Sequence, residues 1–314
     1  MLPLHLAEMT KTISHGALIL ESIPPDVPPV YVTDLDYADD MAALDNTKEG
    51  LQETTDLLAK FSSYSGLKIN VGKTKSLAVS KNADQRPYNE KSTLDISIDG
   101  TPVEQVSHFT YLGSIICGDG KIDRELTARI QKASGAFNQL GSIWYNRNIL
   151  SSTKIRIYKS AVITILTYGC EVWNTTQTQM KRLEAFHQRC LRRILKIRWQ
   201  QHVRNVDVLA RAKSTNIETH IASMRLRWFG HVSRMPAKDR LPPLLLDWIP
   251  KHGKRSRGRP RKTWLDCIRE DASNFNIGND GMELEELREL ASDRKQWRII
   301  THRKDTFGSS GHSG

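Results

Sequence analysis

The sequence predicts an α+β chain, strand-rich up to about residue 116 and helical from there on. Three observations carry that expectation. The run Val30-Tyr31-Val32-Thr33-Asp34-Leu35-Asp36 is rich in β-branched and aromatic residues and enters the turn Tyr37-Ala38-Asp39-Asp40, with Met41-Ala42-Ala43-Leu44 as a short apolar return strand. Leu94-Asp95-Ile96-Ser97-Ile98 alternates and closes on Asp99-Gly100, a pair that favours two-residue hairpin turns. From Asp119 the period changes, with Ile122, Leu126, Ile130, Ala133, Phe137 and Leu140 recurring every three or four residues, as the buried stripe of a helix does.

Taken in order, Leu6, Met9, Ile13 and Ala17 give the spacing of one amphipathic helix over residues 4–20. Pro24-Pro25 and Pro28-Pro29 then enforce an extended approach to the hairpin. Asn46-Thr47-Lys48-Glu49 offers an N-cap for a helix that buries Leu51, Thr54, Leu57, Leu58 and Phe61 and ends near Ser65-Gly66. Residues 80–91 are polar and read as a loop. A second strand is expected across 103–106, and the β pattern continues through 108–116. Ile155, Tyr158, Val162, Ile165 and Leu166 mark a further helix. Over 180–199, Leu183, His187, Cys190, Ile194 and Ile197 fall on one stripe, while Arg182, Arg189, Arg193 and Lys196 fall on the other. Residues 264–272 and 282–300 read as two short helices, and 308–314 as a disordered tail.

The chain has 314 residues, 39% of them hydrophobic, enough for two modest domains with real cores. Its formal charge of +11 is unevenly spread. Residues 181–262 hold 22 Lys and Arg against 5 Asp and Glu, whereas residues 1–180 hold 17 against 20. Nucleic acid is the partner this basicity implies, because cations that neutralise phosphates gain from counterion release. No apolar stretch approaches a membrane span, and the N-terminus lacks the basic region and long apolar core of a signal peptide. Cys117, Cys170, Cys190 and Cys267 are scattered without a C-x-x-C pair, which suits reduced thiols in an intracellular chain. His187-x-x-Cys190 has metal-ligand spacing but no second Cys/His pair to complete a zinc site.

Adjacent carboxylates at a turn repel each other unless a cation binds them, and Mg²⁺ or Mn²⁺ is the hard ion that suits them. A calcium loop starting at Asp34 fails, since its sixth position is Asp39 instead of Gly and its twelfth is Asp45 instead of Glu. Two further segments follow Tyr37-Ala38-Asp39-Asp40 in order: Gly66-Leu67-Lys68-Ile69-Asn70 with Lys73-Thr74-Lys75, and Phe109-Thr110-Tyr111-Leu112-Gly113-Ser114. Together the three resemble motifs C, D and E of the reverse transcriptases of non-LTR (LINE-type) retrotransposons. The lack of a zinc knuckle resembles the RTE-like branch.

That resemblance implies a partial polymerase palm over residues 1–116 and a helical thumb over 117–200. Beyond these it implies a mostly helical C-terminal region over 201–250, a basic linker over 251–262, helices over 263–307 and the tail from 308. It implies that Asp39 and Asp40 are catalytic metal ligands for Mg²⁺ or Mn²⁺. Lys73 would assist on the phosphate side of a nucleotide, and Tyr111 and Gly113 would grip the primer. Singly, Tyr111 and Gly113 read equally well as a core tyrosine and a turn glycine. The implied partners are an RNA template, a DNA primer or duplex, and deoxynucleotides. Two-metal nucleotidyl transfer needs a carboxylate set holding both ions about 4 Å apart, and the family takes its first aspartate from motif A, well upstream of motif C. Only 38 residues precede Asp39, so the reading here is a reverse-transcriptase fragment that does not polymerise unaided.

The alternative is a non-catalytic nucleic-acid-binding protein. It would use Arg182, Arg189, Arg193 and Lys196, together with Arg257, Arg259 and Arg261 in the basic run. Arg257-Gly258-Arg259-Pro260 resembles an AT-hook core, whose arginines enter the narrow minor groove of A·T-rich DNA. It equally suits a nuclear-import signal or an ordinary element linker. All seven tryptophans lie at or after Trp144, as core anchors or as stacking surfaces for bases.

Overall fold

A computed structural model of the chain describes residues 18–20, 30–79, 93–236, 240–247, 262–278 and 282–302. The described residues divide into two compact units, one running up to Lys121 and the other comprising Ile122–Leu246 with the residues from 262 on. Most of the helix expected over 4–20, the prolines before the hairpin, the loop at 80–91, Arg257, Arg259, Arg261 and the tail lie outside the described residues. No helix among the described residues is long and apolar enough to cross a membrane.

In the first unit the strands pair two by two. β1 (Leu18–Leu20) pairs antiparallel with β2 (Val30–Val32), which overturns the end of the expected helix. The Val-Tyr-Val strand supplies a backbone partner that side-chain periodicity does not report. β3 (Asp34–Tyr37) and β4 (Asp40–Ala43) form the acidic hairpin. α1 (Lys48–Tyr64) follows, capped by Thr47, whose hydroxyl accepts the Gly50 N–H at 3.1 Å. β6 (Ser97–Ile98) and β7 (Thr101–Pro102) close through Asp99 and Gly100, at φ 49° and 75°, the left-handed pair that a tight hairpin turn needs.

The strand expected over 103–106 divides. The Val103 N–H still donates to Ile96 O at 2.8 Å, and β8 (Glu104–Gln105) then pairs in parallel with β5 (Lys75–Ser76). Gln52 of α1 joins helix to sheet, its amide donating to Ser97 O at 2.8 Å and accepting from Ser97 N at 2.9 Å. Around that contact Ile96, Ile98 and Val103 form a small core with Leu51, Ala59, Ile69, Val71 and Leu94. β9 (His108–Tyr111) and β10 (Ser114–Cys117) make the last hairpin.

The second unit is helical: α2 (Asp123–Gln139), α3 (Gly141–Tyr145), α4 (Ser151–Tyr158), a π turn at Lys159–Ile163, α5 (Thr164–Leu166), α6 (Gln177–Ile194), α7 (Asn205–Ala212), α8 (Ile217–Ser233), α9 (Leu241–Asp247), α10 (Trp264–Asn274), α11 (Leu284–Ser292) and α12 (Arg294–His302). The helix expected over 282–300 is therefore two. Asp293 separates them because its carboxylate accepts the N–H groups of Lys295 at 2.9 Å and Gln296 at 3.0 Å, which caps α12.

Two cores fill this unit, and α8 belongs to both. Ile217 and Ile221 join Leu126, Phe137, Trp144, Tyr158, Leu183 and Ile194 in the first. Ala222, Leu226 and Phe229 join Ile268, Phe275, Leu287 and Trp297 in the second. Between the two, Arg225 of α8 donates to both carboxylate oxygens of Asp271 at 2.6 and 2.8 Å and to the Trp173 carbonyl at 3.3 Å. Burial pushes the Asp271 carboxyl up against the pull of Arg225, the balance expected where desolvation competes with attraction. Trp297 seals the second core, and its indole N–H donates to Leu226 O at 2.9 Å. A Cβ on Gly230 would lie 2.2 Å from that indole nitrogen.

Gly230→Ala is expected to destabilise the fold by about 1–3 kcal/mol through overpacking against Trp297. Urea unfolding of the variant beside the parent chain measures it, and an unchanged midpoint would show that Trp297 has room to move.

Candidate functional site

The acidic hairpin turns through Ala38 and Asp39. Ala38 takes a left-handed backbone at φ 57°, which is unfavourable for a residue with a Cβ. The register sets Tyr37 opposite Asp40, Leu35 opposite Ala42, Asp36 opposite Met41 and Asp34 opposite Ala43. Because side chains alternate along a strand, Asp40 shares a face with Leu35 and Tyr37, and Asp34 and Asp36 occupy the other. Asp39 and Asp40 are both exposed. Partial burial, then the neighbouring Asp34 carboxylate, push the Asp36 carboxyl up. The register thus keeps Asp34 off the face that carries Asp40.

Of the other residues expected at this site, Tyr111 is tied to the hairpin and Lys73 is held elsewhere. The Tyr111 hydroxyl donates to the Leu35 carbonyl at 2.9 Å. Tyr111 ends β9 at a turn formed by Leu112 and Gly113, at φ 47° and 83°. Gly113 meets that backbone demand freely, whereas Leu112 does not. Lys73 lies in an exposed turn whose backbone N–H donates to Asn70 O at 3.1 Å and to Asn70 Oδ1 at 3.2 Å. Its neighbour Lys75 is engaged by Glu104 at 2.6 Å. Among the described residues no group of three His, Cys, Asp or Glu could hold a metal ion. The donors that this hairpin shows do not by themselves fit a pair of divalent ions.

The second unit carries the basic surface. α6 starts at a capping box between Thr176 and Gln179 and buries Leu183, His187, Cys190 and Ile194, so the expected stripe faces the core. It ends at Ile194, short of the expected 199, and Lys196 lies past the helix in a left-handed turn at φ 57°. The four predicted cations differ in what holds them. Arg182 donates to Thr127 Oγ1 at 2.9 Å and pairs with Asp123 at 3.7 Å. Arg189 is exposed, with its guanidinium 5.7 Å from the Phe186 ring centroid. Arg193 donates to the Tyr145 hydroxyl at 2.8 Å and lies over the rings of Tyr145 and Phe137.

Lys196 is exposed. Lys154 is buried, and its ammonium donates to the carbonyls of Trp144 at 3.0 Å and Asn146 at 2.6 Å, while desolvation and then the charge of Lys196 push its amine down. Periodicity missed two aromatic residues here. Tyr145 is 64% exposed beneath Arg193, and Trp199, in a short 3₁₀ turn at Trp199–Gln201, is 78% exposed. Tyr145 is met by Arg193 from 48 residues away, whereas Trp199 sits among its own neighbours Gln201 and His202. The one signal was composition, aromatic residues among arginines without acids.

His187 and Cys190 do not form a metal site. The His187 ring nitrogens are engaged by the Tyr158 hydroxyl at 2.9 Å and the Thr215 carbonyl at 3.2 Å, and burial pushes the imidazole down to about 3. Burial pushes the Cys190 thiol up to about 12, away from the thiolate a metal would need.

The chain is similar to an uncharacterized transposon-derived protein of Caenorhabditis elegans, with 28% identity over 284 residues. The similarity covers 88% of this chain and 97% of that relative, so it spans both units. No family model and no solved structure matches the chain.

Two outcomes follow from this geometry. Tyr111→Phe removes the bond to Leu35 and should cost about 1 kcal/mol, with earlier hydrogen exchange in residues 34–43 as its local signature; unchanged exchange there would mean the hydroxyl does not brace the hairpin. Folded His187 stays neutral down to about pH 3, while the unfolded chain takes up that proton near 6.5. Its contribution is therefore complete above about pH 6.5 and is lost as pH falls. Between pH 7.5 and 5.0 the parent chain should lose about 2 kcal/mol more than His187→Gln in urea unfolding, and equal losses would refute a neutral buried imidazole.

Proposed function

We propose that the chain derives from a transposable element and corresponds to the C-terminal part of a non-LTR reverse transcriptase. The Asp39-Asp40 hairpin and the Tyr111-Gly113 turn are then palm elements, and α2 to α6 form the thumb. The observation that carries this reading is the Tyr111–Leu35 hydrogen bond, which couples the proposed primer grip to the proposed catalytic hairpin across 76 residues of sequence. The transposon-derived relative supports the origin of the chain. In this reading Asp39 and Asp40 descend from metal ligands and Lys73 from a phosphate-side cation, and the hairpin carries only part of a metal site.

On its own, the chain acts as a nucleic-acid-binding protein. Nucleotidyl transfer through two ions needs more carboxylates on one face than the described hairpin presents, because Asp34 and Asp36 point to the other face of the hairpin from Asp40. Arg189, Arg193 and Lys196 instead supply phosphate contacts, which fix position on a duplex without reading its sequence. Nucleic acid in turn implies work inside the cell, with the Arg257-to-Arg261 run serving nuclear import or the minor groove.

The test is primer extension on an RNA template with Mg²⁺ or Mn²⁺, run with duplex binding across a salt series. The expected result is no extension, with affinity that falls steeply as salt rises. Changing Arg189, Arg193 and Lys196 together to Ala should flatten the log–log salt slope by about 3. Extension that Asp39→Asn/Asp40→Asn abolishes would overturn the inactivity. Binding that ignores salt would overturn the interface.

A further inference from the structure

We infer that Trp199 is a stacking platform for an unpaired base, which gives the basic end of α6 a preference for single-stranded nucleic acid over duplex. The inference rests on the proposed binding surface and names the form of nucleic acid that surface takes.

A tryptophan is the side chain a fold most readily hides, and this unit hides Trp144, Trp173 and Trp297 to 4% exposure or less. Trp199 is 78% exposed although the loop around it is well anchored. Arg192 reaches from α6 to the Val203 carbonyl at 2.8 Å and to Asn205 Oδ1 at 2.7 Å, drawing the far side of the loop back to the helix. Gln201 Oε1 accepts the Arg198 N–H at 3.0 Å and closes the turn beneath Trp199. His202, left-handed at φ 46°, sets its ring edge-on to the indole, with centroids 6.4 Å apart at 89°. The indole is thereby braced by a perpendicular ring while 78% of the residue remains exposed. An anchored, open π surface accepts a stacked base with little ordering cost.

Charge identifies the occupant. From Arg189 to Arg204 the sequence holds six Lys and Arg and no acid. Arg192 is consumed by the loop and Arg204 pairs with Asp207 at 3.0 Å, whereas Arg193 lies over the exposed Tyr145 and Lys196 and Arg198 stay exposed just before Trp199. An apolar protein partner would meet uncompensated positive charge at the rim of this surface. A strand of nucleotides brings phosphates for Lys196 and Arg198 and a base for Trp199. In a duplex the bases are already stacked on one another, so only an unpaired base can use the indole face.

Fluorescence anisotropy with a labelled single-stranded oligonucleotide and with the duplex of the same sequence tests this on the full chain, in DNA and RNA forms. Trp199→Ala should weaken single-strand binding by about fivefold to a hundredfold, as loss of one stacked base does, and leave duplex affinity and its salt slope unchanged. Trp199→Phe should retain most of the single-strand affinity, which a merely structural role would not predict. Equal loss for both forms, no loss at all, or a shift in oligomeric state on gel filtration with Trp199→Ala would each overturn the platform. If the parent chain binds neither form, the underlying nucleic-acid reading fails as well, so the two failures are told apart.

Discussion

A charge taken out of water must be matched where it lies, and in the helical unit that rule draws acids inward. Asp271 meets Arg225 between the two cores, and Glu125 meets Arg129 inside α2 at 2.6 Å. Glu184 spends its carboxylate on the Ile217 N–H at the start of α8 and on Gln188. Acids used this way cannot neutralise the surface. Arg189, Arg193, Lys196 and Arg198 remain outside, with no ion pair to an acid among the described residues. The basic face is in this sense a by-product of how the interior is held together, as well as of how many Lys and Arg the sequence carries.

Where neighbours in sequence decide the structure, the sequence was legible. The acidic hairpin follows from a β-branched run, a turn and an apolar return, and the Asp99-Gly100 turn from a dipeptide that tolerates two positive φ values cheaply. The stripe of α6 followed from spacing alone. The break between α11 and α12 was missed, because a helical period that continues across Ser292-Asp293 masks the capping residue. Leu18–Leu20 was misread because pairing with a strand ten residues away outweighs local pattern. Which arginines stay free was not legible, since Arg182 and Arg192 are claimed by Asp123 and Asn205 through tertiary contacts. The Tyr111–Leu35 bond belongs to the same class of long-range fact.

The two units also handle backbone strain differently. The first places Ala38 and Leu112 in left-handed conformations at the tips of two hairpins whose ends meet through Tyr111. Every ladder described in that unit has only two strands, so little sheet is present to offset such turns. The second unit keeps its left-handed non-glycine residues, Lys196, His202, Lys213 and Asn276, at helix ends, where they terminate a helix in the ordinary way. Stability is thus concentrated in the helical part, while the carboxylate hairpin rests on a few long-range braces.

The way α8 is shared between two cores sets an order of events during synthesis. Its first half finds Leu126, Phe137 and Leu183 already made when it leaves the ribosome, and the first core can close around it. Its second half must wait for Trp297, 71 positions after the Leu226 carbonyl it bonds. Until then Leu226 and Phe229 have no lid, and the groove over Gly230 stays open. A nascent chain therefore carries a finished bundle with a sticky trailing edge, which a chaperone or a premature stop would meet first.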